Sequence, residues 1–141
     1  MRKSIFKLAA ACVVMGSMSA AAPAFAQDEA AEEAEGPITV SGGVAVVSDY
    51  RFRGVSLSDK DFAVQPYLTV KHESGLYVGV WGSGIKWVKD AGGKSNTEVD
   101  YYGGYKFSIG EVAYDVGFLH YDYSGNALAV SANTNELYGA V

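Results

Sequence analysis

The chain of 141 residues has a single cysteine, Cys12. A disulfide framework needs two thiols and a thiolate zinc site needs more, so both are excluded. Proline occurs three times and histidine twice, at His72 and His120. Basic residues are scarce: of 11 Lys and Arg, Arg2, Lys3 and Lys7 lie before Gln27, whereas all 16 Asp and Glu lie after it. The part after residue 26 therefore holds eight cations against 16 anions, a net charge of −8. A nucleic-acid binder would carry a basic face, and this chain has none to offer. After residue 26 no apolar run approaches the roughly 20 residues of a membrane-spanning helix. What the chain has instead is glycine and tyrosine. Sixteen of its 17 glycines and all ten tyrosines follow residue 26, with valine scattered evenly among them. That composition suits a β-rich protein.

Residues 1–26 read as a cleaved signal peptide. Met1 to Lys7 is a basic segment, Leu8 to Met15 an apolar one, and Ala24-Phe25-Ala26 the small-x-small pattern that precedes cleavage. Cys12 lies inside the apolar segment, which disfavours a lipoprotein. Export places the protein in the periplasm, the outer membrane or the medium. Residues 27–37 form an acidic spacer: five acids and three alanines in Gln27 to Gly36 leave no apolar face with which to build a core.

From Ile38 to Val141 the pattern has period two, which predicts an all-β, antiparallel up-and-down sheet of six strands. In Ile38 to Arg53 the even positions are apolar, and the odd positions end in Asp49, Arg51 and Arg53. Phe62 to Glu73 sets Phe62, Val64, Leu68 and Val70 opposite Gln65, Thr69, Lys71 and Glu73. Leu76 to Trp87 is apolar on both sides. Thr97 to Phe107 sets Val99, Tyr101, Tyr105 and Phe107 opposite Glu98, Asp100 and Lys106. Glu111 to Tyr123 sets Val112, Tyr114, Val116 and Phe118 opposite Glu111 and Asp115, and Asn133 to Val141 begins a sixth strand with Glu136 on the polar side. Connections alternate between short (Ser74-Gly75, Ile109-Gly110) and long (Gly54 to Asp61, Val88 to Asn96, Ser124 to Ala132). Closing the first short turn on two residues pairs Leu68 with Trp81 and Val70 with Gly79, which turns Tyr77 and Trp81 toward the aliphatic side. Closing the second pairs Phe107 with Val112 and Tyr101 with Phe118.

Strands of this length, tilted near 40°, span the roughly 25 Å apolar band of an outer membrane, and tight turns at one end with long loops at the other are the habit of such barrels. Tyr50, Phe52, Phe62 and Trp87 at the loop end, with Tyr77 and Phe107 at the turn end, resemble an aromatic girdle. A soluble sandwich with an aromatic core explains neither the length nor the rhythm. Charged groups cannot face hydrocarbon, so Asp49, Arg51, Arg53, Gln65, Lys71, Glu73, Lys86, Glu98, Asp100, Lys106 and Asp115 are candidates to line a wet lumen, with Arg51 and Arg53 facing Glu98 and Asp100. Whether that lumen is open or blocked by pairing across it is left undecided by the charges.

The run from Val47 to Asp59, VSDYRFRGVSLSD, resembles the opening strand and loop of the TorF or Gcw_chp family of proteobacterial outer-membrane proteins. His72 to Ser83, Val99 to Tyr105 and Tyr114 to Gly117 are similar in order and spacing. The resemblance implies an outer-membrane β-barrel acting as a porin, with no catalytic residue and no cofactor. Family members run longer. Six strands fall short of the roughly eight of the smallest bacterial barrels, so the chain reads as a fragment truncated at its C-terminus, or as a protomer that closes with other copies. No catalytic set stands out. His72 and His120 lie near opposite ends of the sheet, no GxSxG elbow occurs, and the Gly103-Gly104 pair lies within a strand. The expected partners are outer-membrane lipid and small hydrophilic solutes. The rivals are a structural or adhesive barrel that acts through its loops, and a membrane-embedded lipid-modifying enzyme.

Overall fold

The computed structural model of the chain describes residues 36–141. The expected signal peptide and all of the spacer but Gly36 and Pro37 lie outside the described residues. Six strands form one antiparallel sheet: β1 (Ile38–Val47), β4 (Ala63–His72), β5 (Leu76–Gly84), β6 (Thr97–Ile109), β7 (Val112–Asp122) and β8 (Thr134–Ala140). Their spatial order follows the chain, β1-β4-β5-β6-β7-β8. A small hairpin, β2 (Arg51–Phe52) with β3 (Val55–Ser56), sits in the first long connection, and a one-turn helix α1 (Trp87–Asp90) in the second. Among the described residues β1 and β8 are the two edges of the sheet.

The alternating pattern of Ile38 to Arg53 outlasts the strand that it predicts. β1 stops at Val47, and the chain reverses at Arg53-Gly54, both with positive φ (49° and 85°). Positive φ at both central residues is what a two-residue hairpin turn requires. Asp49, Arg51 and Arg53 thus leave the sheet wall for the loop end.

The first tight turn differs from expectation in a way that reverses a whole strand. It has three residues, Glu73-Ser74-Gly75, with the Gly75 amide donating to the His72 carbonyl at 2.9 Å and Gly75 at φ 98°. This is the type I turn closed by a left-handed residue, for which glycine is the low-strain choice. One extra residue moves the register by one. Leu68 pairs with Val80, Val70 with Val78, and Tyr67 with Trp81. A one-residue slip carries every side chain to the other face. Leu76, Val78 and Val80 therefore continue the aliphatic face, and Tyr77, Trp81 and Ser83 join the polar one. The second tight turn is Gly110-Glu111, with Ile109 opposite Val112, Phe107 opposite Tyr114 and Tyr101 opposite His120. Its shift from the expected register is two residues, so the expected faces hold.

The sheet separates its two faces sharply. Val40, Val44, Val46, Val64, Leu68, Leu76, Val78, Tyr105, Ile109, Val112, Val116, Phe118 and Leu137 share one face, and all are exposed. The strand residues Gln65, Lys71, Glu98, Asp100, Lys106, Asp115 and Glu136 share the other. The buried core also lies on that second side. Ile85, Val88, Leu119, Tyr121 and Tyr123 pack together at the loop end, joined by Tyr50, Leu57, Trp87 and Leu128 from the connections.

Candidate functional site

The polar face is built from pairs of glycine and tyrosine. Gly43 lies opposite Tyr67, Gly79 opposite Tyr102, Gly104 opposite Tyr77, and Gly117 opposite Tyr138. In each pair the ring occupies the space that a Cβ would fill: a Cβ on Gly43 would meet Tyr67 Cε1 at 2.9 Å, and one on Gly79 would meet Tyr102 Cε2 at 2.6 Å. Glycine lets the ring lie along the sheet, and the ring covers backbone that glycine leaves bare. The hydroxyls then reach neighbours across the face. Tyr102 shares a 2.6 Å hydrogen bond with Thr69 Oγ1, Tyr77 donates to Asp115 Oδ1 at 2.6 Å, and Tyr77 and Tyr138 join hydroxyl to hydroxyl. Asp115 also faces Lys106 at 3.8 Å, and the Lys106 ammonium sits 5.5 Å from the centre of the Tyr77 ring.

Toward the loop end the face turns acidic and closed. Glu98 and Asp100, on β6, are 1 % and 4 % exposed. Ser83 stands opposite Glu98; Trp81 and Tyr121 flank Asp100 on the two neighbouring strands. Tyr121 donates to Glu136 Oε2 at 3.2 Å. Tyr50 donates to Glu98 Oε1 at 2.9 Å, and the Tyr123 phenol lies near the same carboxylate. The second oxygen, Glu98 Oε2, and Asp100 Oδ1 are buried with no hydrogen-bond partner. Burial first, and the Glu98 charge second, hold the Tyr50 phenol far above its ordinary range, so it stays a donor.

Three long connections form the cap over this region. Asp49 organises the first: it accepts from Ser56 Oγ at 2.5 Å, from Arg51 Nε at 2.6 Å and from Ser58 Oγ at 3.3 Å. The Ser56 hydrogen bond, with Arg51 in support, holds the Asp49 carboxyl below its usual value. Ser58 Oγ also takes the Tyr50 amide at 2.9 Å, and the Leu57 amide donates to the Tyr50 carbonyl at 2.7 Å. The first connection is stitched to the second by Lys86 N donating to Leu57 O at 2.8 Å, and the second to the third by Lys94 N donating to Asn126 O at 2.8 Å.

The eleven candidates thus divide. Gln65, Lys71, Glu98, Asp100, Lys106 and Asp115 share the polar face of the sheet, with Gln65 donating to Ser83 Oγ at 3.3 Å. Asp49, Arg51 and Arg53 stand in the cap, Glu73 in the first tight turn, and Lys86 before α1, where it pairs with Asp61. Arg51 is bound to Asp49 and to Gly54 O at 3.0 Å, and the Arg53 guanidinium lies 4.9 Å from the centre of the Phe52 ring. The expected facing of these two arginines toward Glu98 and Asp100 is replaced by Tyr50, which the sequence pattern assigns to a girdle. Tyr77 leaves that girdle too, because the turn register sends it to the polar side. His72 and His120 keep separate neighbours, Ser74 at 2.8 Å and Asn135 at 2.7 Å. Among the described residues no group of three or more metal-ligating side chains converges.

These features define an all-β, up-and-down antiparallel protein with one aliphatic face and one face of hydroxyls and carboxylates. Within that class, the chain belongs to the bacterial family of proteins of unknown function designated Gcw_chp, which it matches over residues 31–141. No curated protein and no solved structure matches it.

Proposed function

We propose that this sheet is part of the wall of an outer-membrane β-barrel, a porin whose polar face borders a path for small hydrophilic solutes. The observation that carries the reading is the exposed face. Fifteen large apolar side chains stand exposed on one side of a single sheet, and the one carboxylate of the six strands on that side, Asp122, is the last residue of β7 at the loop end. In water such a surface would exceed the apolar patch of an ordinary monomer; against acyl chains it is the expected surface. Strand length agrees. β6 has 13 residues, about 40 Å at ~3.3 Å per residue, enough to cross the roughly 25 Å band when tilted. The edges β1 and β8 need partner strands, because bacterial barrels have at least about eight. The polar face sets Lys71 and Lys106 beside Asp115 and Glu136, with Glu98 and Asp100 buried at its loop end, so the path it borders is hydrophilic and carries both signs of charge.

A non-conducting barrel is the second reading. The burial of Glu98 and Asp100 beneath Tyr50 favours it. Single-channel recording of the full chain in planar bilayers separates the two: discrete conductance steps support the porin, and a silent membrane at every salt concentration removes it.

A further inference from the structure

We infer that Tyr50 is the closing residue of the polar face at its loop end, and that Glu98 and Asp100 beneath it form a recognition site for a small organic ammonium ion. The inference deepens the porin reading and rests on it for its biological sense, but not for its test.

Four observations converge. Tyr50 does not belong to the sheet, yet its hydroxyl reaches Glu98 and its ring meets Trp81 edge-on at 5.4 Å between centres. The cap presets that position, since the Tyr50 amide and carbonyl are both held, by Ser58 and Leu57, within a hairpin gathered on Asp49. Below Tyr50, two carboxylates each keep a buried oxygen without a donor. A buried acceptor without a partner costs free energy that a donor entering the site would recover. Finally, the walls are aromatic: Tyr50, Trp81, Tyr121 and Tyr123 surround the two acids, with Trp87 packed edge-on to Tyr123 at 5.1 Å.

That combination selects the ligand. Two carboxylates without a third protein ligand are a poor cage for a divalent metal, which takes six or more oxygens or a fixed octahedron. An ammonium supplies up to three N–H donors to the unmet oxygens, and its carbon substituents lie against ring faces that attract cations. An anion brings no N–H donor to those oxygens. Tyr50, whose hydroxyl donates to Glu98 Oε1, leaves Oε2 unmet and stands over the approach to it from the loop end.

The test uses Ser83, which is 2 % exposed and stands opposite Glu98. In the full chain carrying Cys12→Ser, Ser83→Cys provides a unique thiol. Its labelling is followed with a trimethylammonium-bearing and a sulfonate-bearing methanethiosulfonate, in detergent and in vesicles. With Tyr50 in place both reagents are expected to label slowly. Tyr50→Ala is expected to speed labelling by the cationic reagent at least tenfold and by the anionic reagent far less. Tyr50→Phe, which keeps the ring and loses the donor, is expected to fall between. Adding Glu98→Gln and Asp100→Asn to Tyr50→Ala is expected to abolish the preference for the cation. Equal labelling with and without Tyr50 overturns the closure, and equal rates for the two reagents overturn the ammonium site. Circular dichroism of each variant identifies misfolding, and Tyr50→Phe then decides the closure. A chain that shows gated, cation-selective labelling but no conductance keeps this inference and loses the porin.

Discussion

Val78→Arg distinguishes a face that meets lipid from one that meets water. Val78 is 61 % exposed on the aliphatic face, opposite the midpoint of β6 at Gly103 and in register with Val70 on β4. If that face were hydrated, replacing an exposed valine would change stability by no more than about 0.5 kcal/mol. Against acyl chains near the bilayer centre, arginine costs about 2–4 kcal/mol. Since about 1.4 kcal/mol is tenfold in an equilibrium constant, the variant would lose roughly 30- to 700-fold in folded-to-unfolded ratio. Val55 supplies the control. It is 65 % exposed, but in the β2–β3 hairpin beyond the sheet. Equilibrium urea unfolding of the full chain in phospholipid vesicles is expected to show Val78→Arg destabilised within that range and Val55→Arg unchanged. Equal, small effects at the two sites would refute the lipid-facing assignment.

Gly104→Ala places a Cβ 2.6 Å from the Val116 carbonyl oxygen, a backbone atom that cannot swing away, and against the Tyr77 ring. A loss of about 1–3 kcal/mol is expected by the same unfolding assay. Val88, fully buried in the cap, loses two methyl groups in Val88→Ala; about 2 kcal/mol is expected, with faster proteolysis of the long connections. Asp49 titrates below its ordinary 3.8 because Ser56 and Arg51 favour its charged form. A depressed pKa adds order to the hairpin above the unfolded value, and that order is lost as pH falls through the folded value. NMR of the Ser56 and Ser58 amides is therefore expected to show a transition with a midpoint under 3.8; a midpoint at or above it contradicts the assignment.

Much of the sheet was legible because period two is a strong signal where one face is aliphatic. Ile38 to Val46 and Val64 to Val70 declare their faces unaided, and so do Val112 to Phe118. β5 could not, because Tyr77 and Trp81 read as apolar while working as hydrogen-bonding and stacking groups. Its face depended wholly on turn length. Gly75 as the third residue of a Glu-Ser-Gly turn, and the match of Leu76, Val78 and Val80 to the aliphatic strands beside them, were the signals that would have set the register. The strand charges were legible for a simpler reason: a carboxylate opposite an aliphatic face has only one side to occupy. The cap was not legible. Alternation runs on through Arg53 as if β1 continued, whereas the Asp49 contacts and the positive φ of Arg53 and Gly54 turn the chain back. Tyr50 reaches Glu98 across 48 positions of sequence, and no local pattern records a contact of that kind.

The most direct measurement of the central claim is quenching of a single tryptophan by lipids brominated along their acyl chains. The two native tryptophans, Trp81 and Trp87, sit on the polar face and in the cap. Replacing both with phenylalanine and introducing Val78→Trp moves the single tryptophan, excited selectively at the red edge, to the aliphatic face. Strong quenching of the Val78→Trp variant in vesicles, beside weak quenching of the native pair, is the result predicted. Weak quenching of that variant, or stronger quenching of the native pair, would contradict the account.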